Sequence, residues 1–90
     1  MPQYKAPLRD TRFLLNEVFD FPAHYAQLSN GKDADPATVD TILQACATYC
    51  ETVLSPLYRS GDEEGCTLKD GVVTTPKGVK AAYGELCAAG

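Results

Sequence analysis

From Asp35 to Tyr58 the chain carries one helical pattern too long for a small chain to bury by itself. Asp35 suits the N-cap, because its carboxylate can accept from the free amides of the first turn. Pro36 suits the first helical position, where a missing N–H costs nothing. Apolar side chains then fall at Val39, Leu43, Cys46, Cys50, Val53 and Leu57, alternating steps of four and three. Ile42, Tyr49 and Leu54 widen the stripe. This is a helix period, not a strand period. Asp40, Gln44, Thr48, Glu51 and Ser55 take the other face. Such a helix is roughly 33 Å long at about 1.5 Å per residue. Its stripe calls for partners. Near its end Pro56 removes a backbone donor and crowds the carbonyl of Thr52, so the helix kinks or ends there. Leu57-Tyr58-Arg59 is expected to form a last turn, stopped by Ser60-Gly61.

Ninety residues allow one small structural unit. A chain of this size buries only about 60–65% of its unfolded surface and leans on metals, disulfides or neighbours for stability. A hydrophobic share of 44% against 22% charged residues marks a folding sequence, not a disordered tail. The net charge of -4 argues against nucleic acid, which demands a basic patch, and against an anionic membrane surface. Met1-Pro2-Gln3-Tyr4-Lys5 is unlike a secretory leader, and no apolar run reaches spanning length, so a cytoplasmic location without membrane insertion is expected.

The other segments read as follows. Tyr4 to Leu8 is extended up to Pro7, and a helix follows from about Leu8 to Asp20, with Phe13, Leu14, Leu15, Val18 and Phe19 on its apolar side. Lys5, Arg9 and Arg12 form the local concentration of positive charge. They could contact an anion such as phosphate, but solvated or interdomain salt bridges are the simpler reading. Pro22 to Leu28 makes a short helix, and Phe13, Phe19, Phe21 and Tyr25 suggest a packing cluster. Ser29 to Ala34 is a polar loop. Gly61-Asp62-Glu63-Glu64-Gly65 reads as a solvated acidic loop without the ligand spacing of a calcium site. Two short extended pieces flank an Asp70-Gly71 turn and must lie on the helices. Thr75-Pro76 is a second cap-and-proline start, opening a helix to about Ala89 with Val79, Ala82, Tyr83 and Leu86 inward. The expected fold class is all-α: about four helices with one very short β-hairpin.

Chemistry is sparse in this pattern. Cys46, Cys50, Cys66 and Cys87 show no C-x-x-C spacing and there is one histidine, His24. Buried reduced thiols are expected, with a zinc site or a disulfide as the alternatives. His24 has no acid and nucleophile arranged around it. Glu17 and Glu51 lie on polar helix faces, and Glu85 lacks substrate-binding surroundings. No catalytic, cofactor-binding or metal-binding residue is assigned.

A resemblance runs through the chain. Residues 4–20, reading Tyr-Lys-Ala-Pro-Leu-Arg-Asp-Thr-Arg-Phe-Leu-Leu-Asn-Glu-Val-Phe-Asp, resemble the amino-terminal extension of large acyl-CoA dehydrogenases. These are the flavoenzymes related to bacterial 3-methylmercaptopropionyl-CoA dehydrogenases, which commonly carry Met where this chain has Thr11. Val53-Leu54-Ser55-Pro56-Leu57, Gly61 to Cys66 and Leu68 to Pro76 continue the likeness in the family's order. The resemblance implies an extension over residues 1–34, then the start of an all-helical domain over residues 35–90, the whole being one structural unit. In that second part periodicity, caps and the Asp70-Gly71 turn place the long helix at about 36–59, the hairpin at about 66–74 and a last helix at about 76–89. The resemblance implies a parent enzyme that binds FAD and oxidises an acyl-CoA to a 2,3-enoyl-CoA, with a glutamate base and a flavin hydride acceptor. Those groups lie downstream of anything present here. The chain alone is therefore expected to be structural, to bind no FAD, and to pack on the remaining domains of its parent. Self-association through the Val39–Leu57 helix is also expected. The alternative is a free-standing helical module for protein interaction or oligomerisation.

Overall fold

The computed structural model describes residues 3–90. Met1 and Pro2, which open the stretch read above as unlike a leader, lie outside them. Helical backbone occupies four stretches among the described residues. The first is α1, Leu8–Phe13, continued by a π turn over Leu14–Val18. The second is α2, Phe21–Gln27. The third is α3, Pro36–Tyr49, followed directly by a π turn over Cys50–Leu54 and by α4, Ser55–Glu64. The fourth is α5, Val79–Ala88. Strands β1, Thr67–Lys69, and β2, Val72–Thr74, form the antiparallel hairpin between α4 and α5. The fold is all-α with one short hairpin.

Two compact units divide the chain, one comprising residues 5–48 and the other residues 49–90 with the segment at Tyr4. The division falls inside the long helical stretch.

In the unit of residues 5–48, Pro7 opens α1, and its carbonyl accepts from the Thr11 N–H at 3.0 Å and the Thr11 hydroxyl at 2.9 Å. Aromatic rings pack where α1 gives way to α2. Phe21 lies edge-on to Phe19 at 6.1 Å and tilted to Tyr25 at 5.6 Å, as the aromatic run predicts. Phe13 remains half-exposed. Asp35 caps α3 as expected, accepting from the Thr38 N–H at 2.8 Å, and that bond holds its carboxyl below the usual range.

The apolar stripe differs from the sequence pattern at Ile42, Cys46 and Leu54, all of them exposed. Ala47, not Cys46, is the buried residue of α3, and Cys46 is exposed. Val39 and Leu43 are half-buried in the unit of residues 5–48; Cys50, Val53 and Leu57 are half-buried in the other. Much of the face expected to seek a partner is thus partly covered within its own unit.

In the unit of residues 49–90 three boundaries depart from expectation. The long helix does not stop near Arg59 but continues to Glu64, so residues 61–64 form its last turn and not a loop. The Ser55 N–H reaches back to the Cys50 carbonyl, five residues earlier, and this wider turn admits Pro56 at the start of α4 without ending the helix. The helix ends at Gly65, whose N–H returns to the Gly61 carbonyl at 2.9 Å. The hairpin turns on Asp70 (φ 53°) and Gly71 (φ 77°), both left-handed as a two-residue type I′ turn requires. The last helix begins at Val79, three residues later than Thr75-Pro76 suggests. Gly78, at φ 94°, breaks any earlier start, and a Cβ there would stand 2.7 Å from a Leu57 methyl.

Candidate functional site

The unit of residues 49–90 holds a cavity of about 690 Å³ that is open to solvent. Its floor comes from one side of the long helical stretch: Cys50, Leu54 and Tyr58 are spaced four apart, and Ser55 and Arg59 flank them. Tyr4 closes it from the amino-terminal segment. The lining is largely apolar, and Leu54 and Tyr4 leave nearly half of their surface in water. Arg59 Nε donates to Glu63 Oε1 at 2.8 Å along the helix, an exposed pair that contributes little to stability.

Two contacts hold the framework around this helix. Tyr49 Oη donates to the Ala82 carbonyl at 2.6 Å, tying the long helix to α5 where Ala82 is buried. Burial of the phenol, with the Glu85 charge second, raises the Tyr49 pKa above its ordinary value. Glu64 Oε2 accepts from the Lys77 N–H at 2.8 Å and fixes the chain entering α5. The rest of α5 is open. Ala82 alone of its expected inward residues is buried; Leu86 is half-exposed and Tyr83 is 66% exposed. The hairpin is likewise bare: the cross-strand pair Leu68 and Val73 is mostly in solvent.

In the unit of residues 5–48, Arg12 resolves the question of the basic face. Its Nε and Nη2 donate to the two carboxylate oxygens of Asp40, at 2.5 and 3.4 Å. The Arg12 bonds, and then the Gln44 amide at 2.7 Å, hold the Asp40 carboxyl below its ordinary range. Asp40, placed by periodicity on the solvent face, is a half-buried anchor for α1. Lys5 and Arg9 are exposed. His24 lies edge-on to Phe21 at 5.9 Å and is exposed, a surface member of the aromatic cluster.

The cysteines depart from expectation. All four are free thiols, but Cys46, Cys66 and Cys87 are exposed and Cys50 is half-buried. Three-fold or larger groups of His, Cys, Asp and Glu able to hold a metal are absent among the described residues. Glu51 is half-buried on the long helix, and Glu17 and Glu85 are exposed. Among the described residues no helix is long and apolar enough to cross a membrane.

Set against known proteins, the chain is similar to an acyl-CoA dehydrogenase. It is 30% identical over 82 residues to the 3-methylmercaptopropionyl-CoA dehydrogenase of Ruegeria pomeroyi. The match takes in 91% of this chain and spans 14% of the length of that relative. No protein-family model matches the chain.

Proposed function

We propose that this chain is the amino-terminal, structural part of a larger FAD-dependent acyl-CoA dehydrogenase, working in the cytoplasm. The carrying observation is the likeness over 91% of the chain to an enzyme of which it spans 14%. The structure supports the reading through what it leaves uncovered. Among the described residues the buried apolar side chains are two alanines, Ala47 and Ala82, while Phe13, Phe19, Tyr58 and Tyr83 are more than half exposed and Leu54 and Leu86 nearly half. Faces of this kind are built to be covered by other protein.

The chain's own residues do not fit the flavin. A dinucleotide needs several donors converging on its pyrophosphate, whereas the cavity offers one guanidinium, already bonded to Glu63. The role left to the segment is to build part of the helical wall of the parent, which oxidises an acyl-CoA to a 2,3-enoyl-CoA. The longer polypeptide containing this sequence, once purified, is expected to retain FAD and to lose flavin absorbance when an acyl-CoA is added. A longer polypeptide that purifies without flavin, or whose flavin is indifferent to every acyl-CoA offered, contradicts the assignment. The second reading, a free-standing interaction module, is favoured by the same open faces and predicts a complete product of this length.

A further inference from the structure

Asn30 and Gly31 are adjacent in the polar loop between α2 and α3, and the packing of that loop bears on their chemistry. We propose that Asn30 is a site of spontaneous modification of the main chain, converting through a succinimide to aspartate and isoaspartate. The inference does not depend on the enzyme reading.

Three observations carry it. The first is the neighbour. An asparagine amide is attacked by the main-chain nitrogen of the residue after it, and a side chain on that residue obstructs the approach. Glycine obstructs it least. Packing demands glycine here: a Cβ on Gly31 would stand 2.3 Å from the Tyr25 carbonyl oxygen and 3.1 Å from Leu28 Cβ. The close approach that seats the loop on the end of α2 therefore also keeps the nucleophilic nitrogen unhindered. The second observation is access. Asn30 is exposed, and its amide makes no hydrogen bond to a described residue. The third is the restraint on the nitrogen. Gly31 N–H donates to the Leu28 carbonyl at 3.1 Å, closing a β-turn with Gly31 in its last position. This single neutral bond at the surface opens without unfolding the helices on either side. Asn16, the other asparagine, is held differently. It lies inside the π turn over Leu14–Val18, and Glu17 follows it.

The step needs water and nothing else. Gly31 N, its proton lost to solvent base, bonds to Asn30 Cγ. The bond from Cγ to the amide nitrogen breaks, and ammonia leaves after taking up a proton. Water then adds to either carbonyl carbon of the ring and opens it. One opening restores the ordinary main chain as aspartate. The other routes the main chain through the former side chain as isoaspartate, one carbon longer. Each product adds a negative charge to a chain already at -4. The longer one also displaces Gly31 from both of its bonds, the one to Leu28 and the one its carbonyl accepts from the Ala34 N–H at 3.1 Å. The loop leading to the Asp35 cap is thereby loosened.

Incubation of the native polypeptide that carries this sequence, at neutral pH and again unfolded in urea, tests the proposal. Tandem mass spectrometry follows the mass change as hydroxyl replaces the amide NH2, and separates the two products. Asn30 is expected to convert in the native chain, slower than in urea by no more than about tenfold, the cost of opening one neutral hydrogen bond. Asn16 is expected to stay intact there. Amide exchange at Gly31 and Ala34 should be faster in the isoaspartate product than in fresh Asn30→Asp, which adds the charge without the extra carbon. Native protection of Asn30 beyond that factor overturns the proposal, as does conversion of Asn16 at the same rate. Exchange no faster than in Asn30→Asp overturns the effect on the loop.

Discussion

The phenol of Tyr49 and the carbonyl of Ala82, 2.6 Å apart and 33 residues apart in sequence, join the long helix to the last one. This bond sits beside one of the two buried alanines, in a unit whose large apolar side chains are mostly open. Tyr49→Phe removes the donor and keeps the ring, so the urea midpoint of the helical signal should fall while the folded spectrum is preserved. The pH dependence has a defined sign. The folded phenol has a raised pKa, so its stabilisation is complete below the unfolded value near 10 and is lost as pH climbs through the folded value. Alkaline unfolding followed by circular dichroism should show this loss in the wild type and less of it in Tyr49→Phe.

The pair Arg12–Asp40 behaves oppositely at the acid end. Its carboxylate has a lowered pKa, so its contribution is complete above the unfolded value near 3.8 and disappears as pH falls through the folded one. Asp40→Asn should flatten the acid limb of the stability profile. Arg12→Gln should move the Asp40 titration, followed by carboxyl NMR, back towards the ordinary range. High salt should weaken the same pair, because both side chains are 38% exposed.

Gly78 tolerates no side chain for two separate reasons. Its φ of 94° is unfavourable for an L-residue, and a Cβ would press on Leu57 at 2.7 Å. Gly78→Ala is expected to destabilise the unit of residues 49–90 by about 1–2 kcal/mol from the backbone alone, and by more once Leu57 is displaced. Thermal melts of this variant and of Leu57→Ala should show whether the two changes are non-additive, as residues in contact are.

The cysteines give a chemical readout of burial. With Cys46, Cys66 and Cys87 exposed and Cys50 half-buried, three thiols should react promptly with an aromatic disulfide reagent in the native chain and the fourth more slowly. Four slow thiols, all released by denaturant, would instead indicate a tighter core than the structure shows.

Local signals in the sequence proved sound where no distant residue intervened. Asp35 caps its helix, the Asp70-Gly71 turn sets the hairpin register, and the four helical stretches follow from periodicity. The misreadings have non-local causes. Pro56 reads as a kink or an end because a proline removes one bond, and of the two the end does not occur, since the π turn before it changes which residues must bond and the helix runs on to Glu64. Asp40 looked solvent-facing because its partner Arg12 lies 28 residues away. Thr75-Pro76 had the right cap chemistry, yet Gly78 and its packing on Leu57 moved the helix start. The groove was legible only in part: Cys50 and Leu54 of its floor belong to the periodic stripe, but Tyr58 lies off it and Tyr4 closes the groove from 46 residues before Cys50.

The central claim is that these ninety residues serve as the structural head of a longer flavoenzyme, and the size of the native product tests it most directly. An antibody against residues 36–64, used on extracts of the source cell, should detect a polypeptide several times heavier than 9.7 kDa that copurifies with flavin. A native product of 9.7 kDa without flavin would contradict the account and leave an independent helical module in its place.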